Sequence, residues 1–371
     1  MANDDILDIA KLSFFRGDKM NKTTSEKIIF LNFIMTCLMV CYHTISLHEG
    51  FALNVWDLRF ARGIGYIFAV MGNYAMCYFF FVSAYLLFRK YELRDYSTKV
   101  KKRIISLLIP YLSWQVIITI IDILQKQYVF NGPDILARTF LLQKFPQDGP
   151  LWYVLAIFFL AVISPIFLFI LKEKRQGWLC IVLITVLIYL LFRLPFQIIK
   201  DFLGVGLMDN VLSYLPCYLV GAYFGKYEKE LNVQKCVQYV LSLVCVAFIL
   251  EGFIPNFLVN ITKNMLPILV FYLMPSIKNF KMRKVYNLTF LIYAIHQPLM
   301  NDLWDNFLGD FCVKHRPSIL LYNVVSKIGM LALTISLAAL VYYILSRIFP
   351  KALEVLTGGR QLITQRKIEG N

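Results

Sequence analysis

FIMTCLMVCYHTISLHEG, residues 33–50, is apolar for about ten positions, then presents Tyr42 and His43 and turns polar at His48 and Glu49. Taken back to Lys27 it is long enough for a helix that crosses a hydrocarbon core of ~30 Å, which takes ~20 residues. His43 would then lie about 24 Å along that helix, close to its far end. An imidazole there has two readings: an interfacial residue satisfied by Ser46, His48 and Glu49, or the centre of a reaction.

The rest of the chain supports the membrane reading. Of 371 residues 59% are hydrophobic, 16% aromatic and only 16% charged, with a mean hydropathy of +0.63. Soluble domains carry about a quarter charged residues. Residues 1–26 are polar and lack an apolar stretch with a cleavage site, so they read as a cytoplasmic tail rather than a signal peptide. The eight cysteines sit mostly inside apolar runs, with no CxxC or Cys/His spacing of the zinc kind, so no metal is expected.

Segments of spanning length fall near 27–47, 64–88, 104–124, 151–171, 178–196, 211–225, 235–254, 262–277, 286–306 and 319–348. An all-α integral membrane protein of about ten transmembrane helices is therefore expected. The net charge of +15 could signal nucleic acid, but its distribution is topological. Of 38 Lys and Arg, 27 fall in alternate loops and the two tails, nine in the opposite loops, and Arg193 and Lys327 within helices. By the positive-inside rule both termini are cytoplasmic, and no nucleic-acid partner is expected. The membrane domain is 27–349, between tails 1–26 and 350–371. One outer loop is long, 125–150; DILARTFLLQKF (134–145) has helical spacing suited to a lid on the membrane.

Ionisable groups inside spans are costly and so are candidates: His43, Asp122, Arg193, Glu251, Lys327 and His296. For Asp122, Arg193 and Glu251 the ordinary explanation, pairing or snorkelling near an interface, is the stronger one. His296 lies near mid-membrane; Pro298 frees a carbonyl there that its ring could bond, so both readings stay open. Tyr293, one turn earlier, faces the same way.

Six stretches, in order, resemble the membrane acyltransferase-3 family, the bacterial multi-pass O-acyltransferases of surface glycans. They are IIFLNFIMTCLMVCYH (28–43), FFFVSAYLLFRK (79–90), KKRIISLLIPYLSW (101–114), GPLWYVLAIFFL (149–160), LPCYLVGAYFGK (215–226) and LTFLIYAIHQPLM (288–300). The resemblance implies a bacterial plasma-membrane enzyme that moves an acyl group from cytoplasmic acetyl-CoA, or another acyl-CoA, to a cell-wall, exopolysaccharide or lipid-linked sugar hydroxyl. It implies His43 as the catalytic residue. Imidazole can serve as base or as acyl carrier at neutral pH.

Ser83, Trp152, Tyr293 and His296 fall in matching motifs and, with Asn32 and Lys327, are the expected substrate- or channel-lining residues. Arg89, Lys102 and Arg103 are expected to meet the phosphates of the donor. No permanently bound cofactor is expected. Two family arginine positions are Asn32 and Ser106 here, and neither replaces a guanidinium. The lost cations leave two rivals to the enzyme: a glycan exporter or flippase, and a non-catalytic member of the same fold.

Overall fold

The computed structural model describes residues 22–44, 55–126, 128–140, 146, 148–193, 207–275, 284–297, 302–315 and 318–359, and among them every regular element is helical. The helices are α1 (Lys22–His43), α2 (Val55–Phe88), α3 (Leu93–Leu124), α4 (Gly132–Thr139), α5 (Trp152–Val162) and α6 (Ser164–Ile170). After these come α7 (Lys174–Arg193), α8 (Leu207–Lys226), α9 (Val233–Leu250), α10 (Phe257–Leu273) and α11 (Thr289–Ile295). The chain continues through α12 (Asp302–His315), α13 (Ile319–Ile348) and α14 (Pro350–Thr357).

Six of them, α1, α2, α3, α7, α9 and α13, are long and apolar enough to cross a membrane. A seventh span arises if α5 and α6 count as one. With the family described below, this makes the chain a membrane protein. α8 is 20 residues long but carries Asp209, Asn210 and three tyrosines, which dilute its apolarity. α10 and α11 are shorter apolar helices.

The segment 151–171, read from sequence as one helix, is bent by 58° between Val162 and Ser164. Pro165 explains the break, since it has no N–H to give and its ring crowds the carbonyl one turn back. A π-helical turn at Ile104–Leu108 precedes Pro110 in α3, and a second at Val325–Gly329 carries Lys327 in α13. α2 begins nine residues before its predicted start, taking in Arg59 and Arg62. Of the expected lid, Gly132–Thr139 is helical, with Asn131 Oδ1 capping Asp134 N at 3.2 Å. His48, Glu49, residues 141–145 and Pro298 lie outside the described residues.

α2 is the axis of the molecule. Its aromatic run Tyr78-Phe79-Phe80-Phe81 is buried against α5, α8 and α10, apart from half-buried Phe79. α8 lies directly on it, because Gly221 and Gly225 stand one turn apart on the seam. A Cβ at Gly221 would overlap the Phe81 carbonyl, and one at Gly225 the Tyr85 carbonyl, so only glycine lets these backbones meet.

Side chains finish the helix ends. Glu251, one of the candidates from sequence, accepts from Asn256 N (2.7 Å) and Leu258 N (2.6 Å) and so caps α10. α14 packs on α3, where Trp114 Nε1 donates to Leu356 O at 3.1 Å.

Candidate active site

His43 is the last residue of α1, and the packing decides where it ends up. Neighbouring Tyr42 lies flat on Gly72 of α2, where a Cβ would leave no room for its ring. On the other side, Lys327 of α13 reaches the end of α1. Its Nζ donates to Cys41 O (3.2 Å), Thr44 O (3.3 Å) and Thr44 Oγ1 (3.0 Å). The Phe68 ring lies 4.4 Å from the same ammonium. A buried cation thus meets the exposed carbonyls of a helix C-terminus, where the dipole is negative. These bonds bracket His43 along the chain and fix the end of α1 against α13.

His43 and His296, 253 positions apart in the chain, form a pair with ring centroids 5.1 Å apart. His296 is fully buried just beyond α11, and its Nδ1 lies 2.7 Å from Tyr293 O. A carbonyl only accepts, so Nδ1 carries the hydrogen and Nε2 presents a lone pair. That Nε2 has no hydrogen-bond partner among the described residues. His43 is partly exposed, and its ring touches Tyr42 and His296. The site is therefore one accessible imidazole backed by a second, buried one of fixed tautomer.

Tyr293 closes the inner wall. Its hydroxyl donates to Pro150 O at 2.7 Å, and its ring is 5.7 Å from His296 and 6.3 Å from Tyr153. Tyr153 donates to Phe79 O at 3.0 Å, which ties α5 to α2 beside the site. Trp152, half-buried, packs against Phe80 and Tyr214 with both centroids at 6.1 Å and stands in the aromatic layer around that wall.

The other expected site residues are placed apart from the histidines. Arg103, partly buried, donates to Ser83 O at 3.4 Å, so α2 and α3 meet through these two. No carboxylate lies beside its guanidinium among the described residues. Arg89 is committed elsewhere. It pairs with Glu228 Oε2 at 2.5 Å while Tyr85 donates to Oε1 at 2.6 Å. Lys102 is partly exposed in the last turn of the basic helical stretch Tyr96–Arg103. Asn32 stands half-buried on α1, eleven residues before His43 and so about 16 Å along the same helix. Lys327 is a clamp between two helices, buried and fully engaged, rather than a bare lining group.

Sequence reading did not single out Thr44 or Gln297, which frame the two histidines. Each follows a histidine directly in the chain, and adjacency was the only signal available. A surface cavity of about 420 Å³ lined by Lys174, Trp178, Lys235, Gln238, Tyr239 and Ser242 sits between α7 and α9 and includes neither histidine.

Comparison with curated proteins and with solved structures finds no match. The family model described as an acyltransferase domain matches residues 27–347, a stretch that holds both histidines, Arg103 and Lys327. The chain belongs to the membrane acyltransferase-3 family.

Proposed function

We propose that this protein is an O-acyltransferase, with acetyl its simplest cargo. It takes the acyl group from a cytoplasmic acyl-CoA and places it on a sugar hydroxyl of a cell-wall or exopolysaccharide glycan. The observation that carries the proposal is the contact between His43 and His296. A polar pair assembled from distant helices inside an apolar bundle is costly and needs a use.

In the step we infer, the acceptor hydroxyl gives its proton to His43 as its oxygen attacks the thioester carbonyl. The C–S bond breaks, the CoA thiolate takes the proton back from His43, and the ester remains on the sugar. His296, held by Tyr293 O, packs against the His43 ring and limits how that ring turns in the site. Arg103, with no carboxylate beside it among the described residues, and Lys102 meet the donor phosphates. About ten spans with both ends in the cytoplasm put these cations on the acyl-CoA side, as the alternation of basic loops supports.

Radiolabelled acetyl-CoA and full-length protein in nanodiscs test this directly. Wild type should release CoA and label glycan, and His43→Ala should lose both by at least 100-fold while its elution profile is unchanged. Undiminished labelling by His43→Ala would end the reading.

A further inference from the structure

Asp148, immediately before the α5 turn, is fully buried, and neither of its carboxylate oxygens has a hydrogen-bond partner among the described residues. Its backbone N–H donates to Gln115 Oε1 of α3 at 3.2 Å. Gln115 is itself buried, and its Nε2 also has no acceptor among the described residues. The two residues joined by this bond thus leave three side-chain polar atoms unanswered among the described residues. Native interiors seldom tolerate that, since each such atom carries its full desolvation cost.

The place matters as much as the deficit. Pro150 O accepts from Tyr293, and the position a Gly149 Cβ would take is 3.3 Å from Gln297 Oε1. Tyr293 and Gln297 flank His296 in the chain, so the 148–150 turn is seated on the segment that carries the buried histidine. Among the described residues, the titratable groups close to Asp148 are the hydroxyls of Tyr111 on α3 and Tyr293 on α11. Burial, with no cation beside it among the described residues, pushes the Asp148 carboxyl well above the usual carboxylate range. A neutral carboxyl both donates and accepts, and the amide NH₂ beside it donates.

We propose that Asp148 and Gln115 form the acceptor subsite, hydrogen-bonding the neighbouring hydroxyls of an uncharged sugar next to the histidine pair. Vicinal hydroxyls, each donor and acceptor at once, complement this pair. An anionic acceptor would meet a buried acid with no counter-charge among the described residues. This assignment rests on the acyl-transfer reading above, of which it names the acceptor end.

The test uses the full-length protein in nanodiscs, radiolabelled acetyl-CoA, and base-deacetylated surface glycan extracted from cells lacking the protein. Asp148→Asn and Gln115→Leu should each raise KM for the glycan at least tenfold, with KM for acetyl-CoA within twofold of wild type. The glycan should raise the melting temperature of wild type but not of Asp148→Asn. An unchanged glycan KM, or a melting temperature that the glycan shifts equally in wild type and variant, overturns the subsite. So does an Asp148→Asn protein that melts lower and loses affinity for both substrates alike, since that pattern marks a merely structural role. If wild type transfers no acyl group, the enzyme reading fails. The melting shift then still decides whether Asp148 binds sugar.

Discussion

Gly63→Ala and Gly221→Ala make the same chemical change in two helices, and the structure gives them opposite signs. A Cβ at Gly63 of α2 meets nothing within 4 Å. The substitution there only restricts the backbone and should stabilise by up to about 1 kcal/mol, the helix-propensity difference between the two residues. At Gly221 the same Cβ overlaps Phe81 O and comes within 3.0 Å of the Phe81 Cα. Those atoms are backbone in the middle of α2, so no rotamer can clear them and the helices must part. Overpacking of this kind costs about 1–3 kcal/mol, and the propensity gain offsets about 1 kcal/mol of it. Gly221→Ala should therefore be destabilising by about 1 kcal/mol, up to about 2, and more for Val. Thermal unfolding in detergent, followed by loss of the monodisperse elution peak, reads both variants against wild type. Equal shifts of one sign, or a Gly221→Ala protein as stable as wild type, would refute the close backbone contact and the α2–α8 seam with it.

Lys327→Met removes three membrane hydrogen bonds worth about 0.6 kcal/mol each and a cation–π contact of up to about 2 kcal/mol. It also removes a buried charge costing about 2.5–3.5 kcal/mol, so stability should change by no more than about 1 kcal/mol. Lys327→Ala, which also loses the packed stem, should be the worse of the two, and the reverse ranking would contradict the clamp. Glu228→Gln breaks a partly buried pair with Arg89 and should cost about 1 kcal/mol, a loss that shrinks in high salt. For Asp148 the sign follows from its raised carboxyl. The unfolded chain ionises first as pH rises past about 4, so the wild type loses stability relative to Asp148→Asn from there upward. That difference should grow by about 1.4 kcal/mol for each unit of pH until the folded acid also ionises. A difference that is flat between pH 4 and 8 in thermal denaturation would contradict the burial of Asp148.

Every segment chosen on apolar run length contains helix, but six of the helices, or seven with the bent pair, are long and apolar enough to cross a membrane. The bends were written less plainly. Ser164-Pro165 breaks one span, whereas Pro216 and Pro267 sit within helices that continue, because packing partners decide whether a freed carbonyl is tolerated. At the site, the ordered motifs made His43 and His296 legible as candidates, but only folding could bring their rings together. Asp148 was hidden by its own context. In QDGP it reads as turn punctuation, and the burial that sets it apart comes from α3 and α11, far away in the chain. Arg89, a basic position in a family-like motif, pairs with Glu228, a partner 139 positions away that the motif does not reveal.

The Lys327 clamp also constrains how the protein is made. It joins residues 286 positions apart, so at 5–20 residues per second on the order of 15–60 s separate the synthesis of its two halves. During that interval α1 waits with the carbonyls of Cys41 and Thr44 lacking their ammonium and His43 lacking His296. The proposed catalytic centre is thus among the last features to mature, and a chain stalled before α13 would be inserted and largely helical but without the Lys327 clamp.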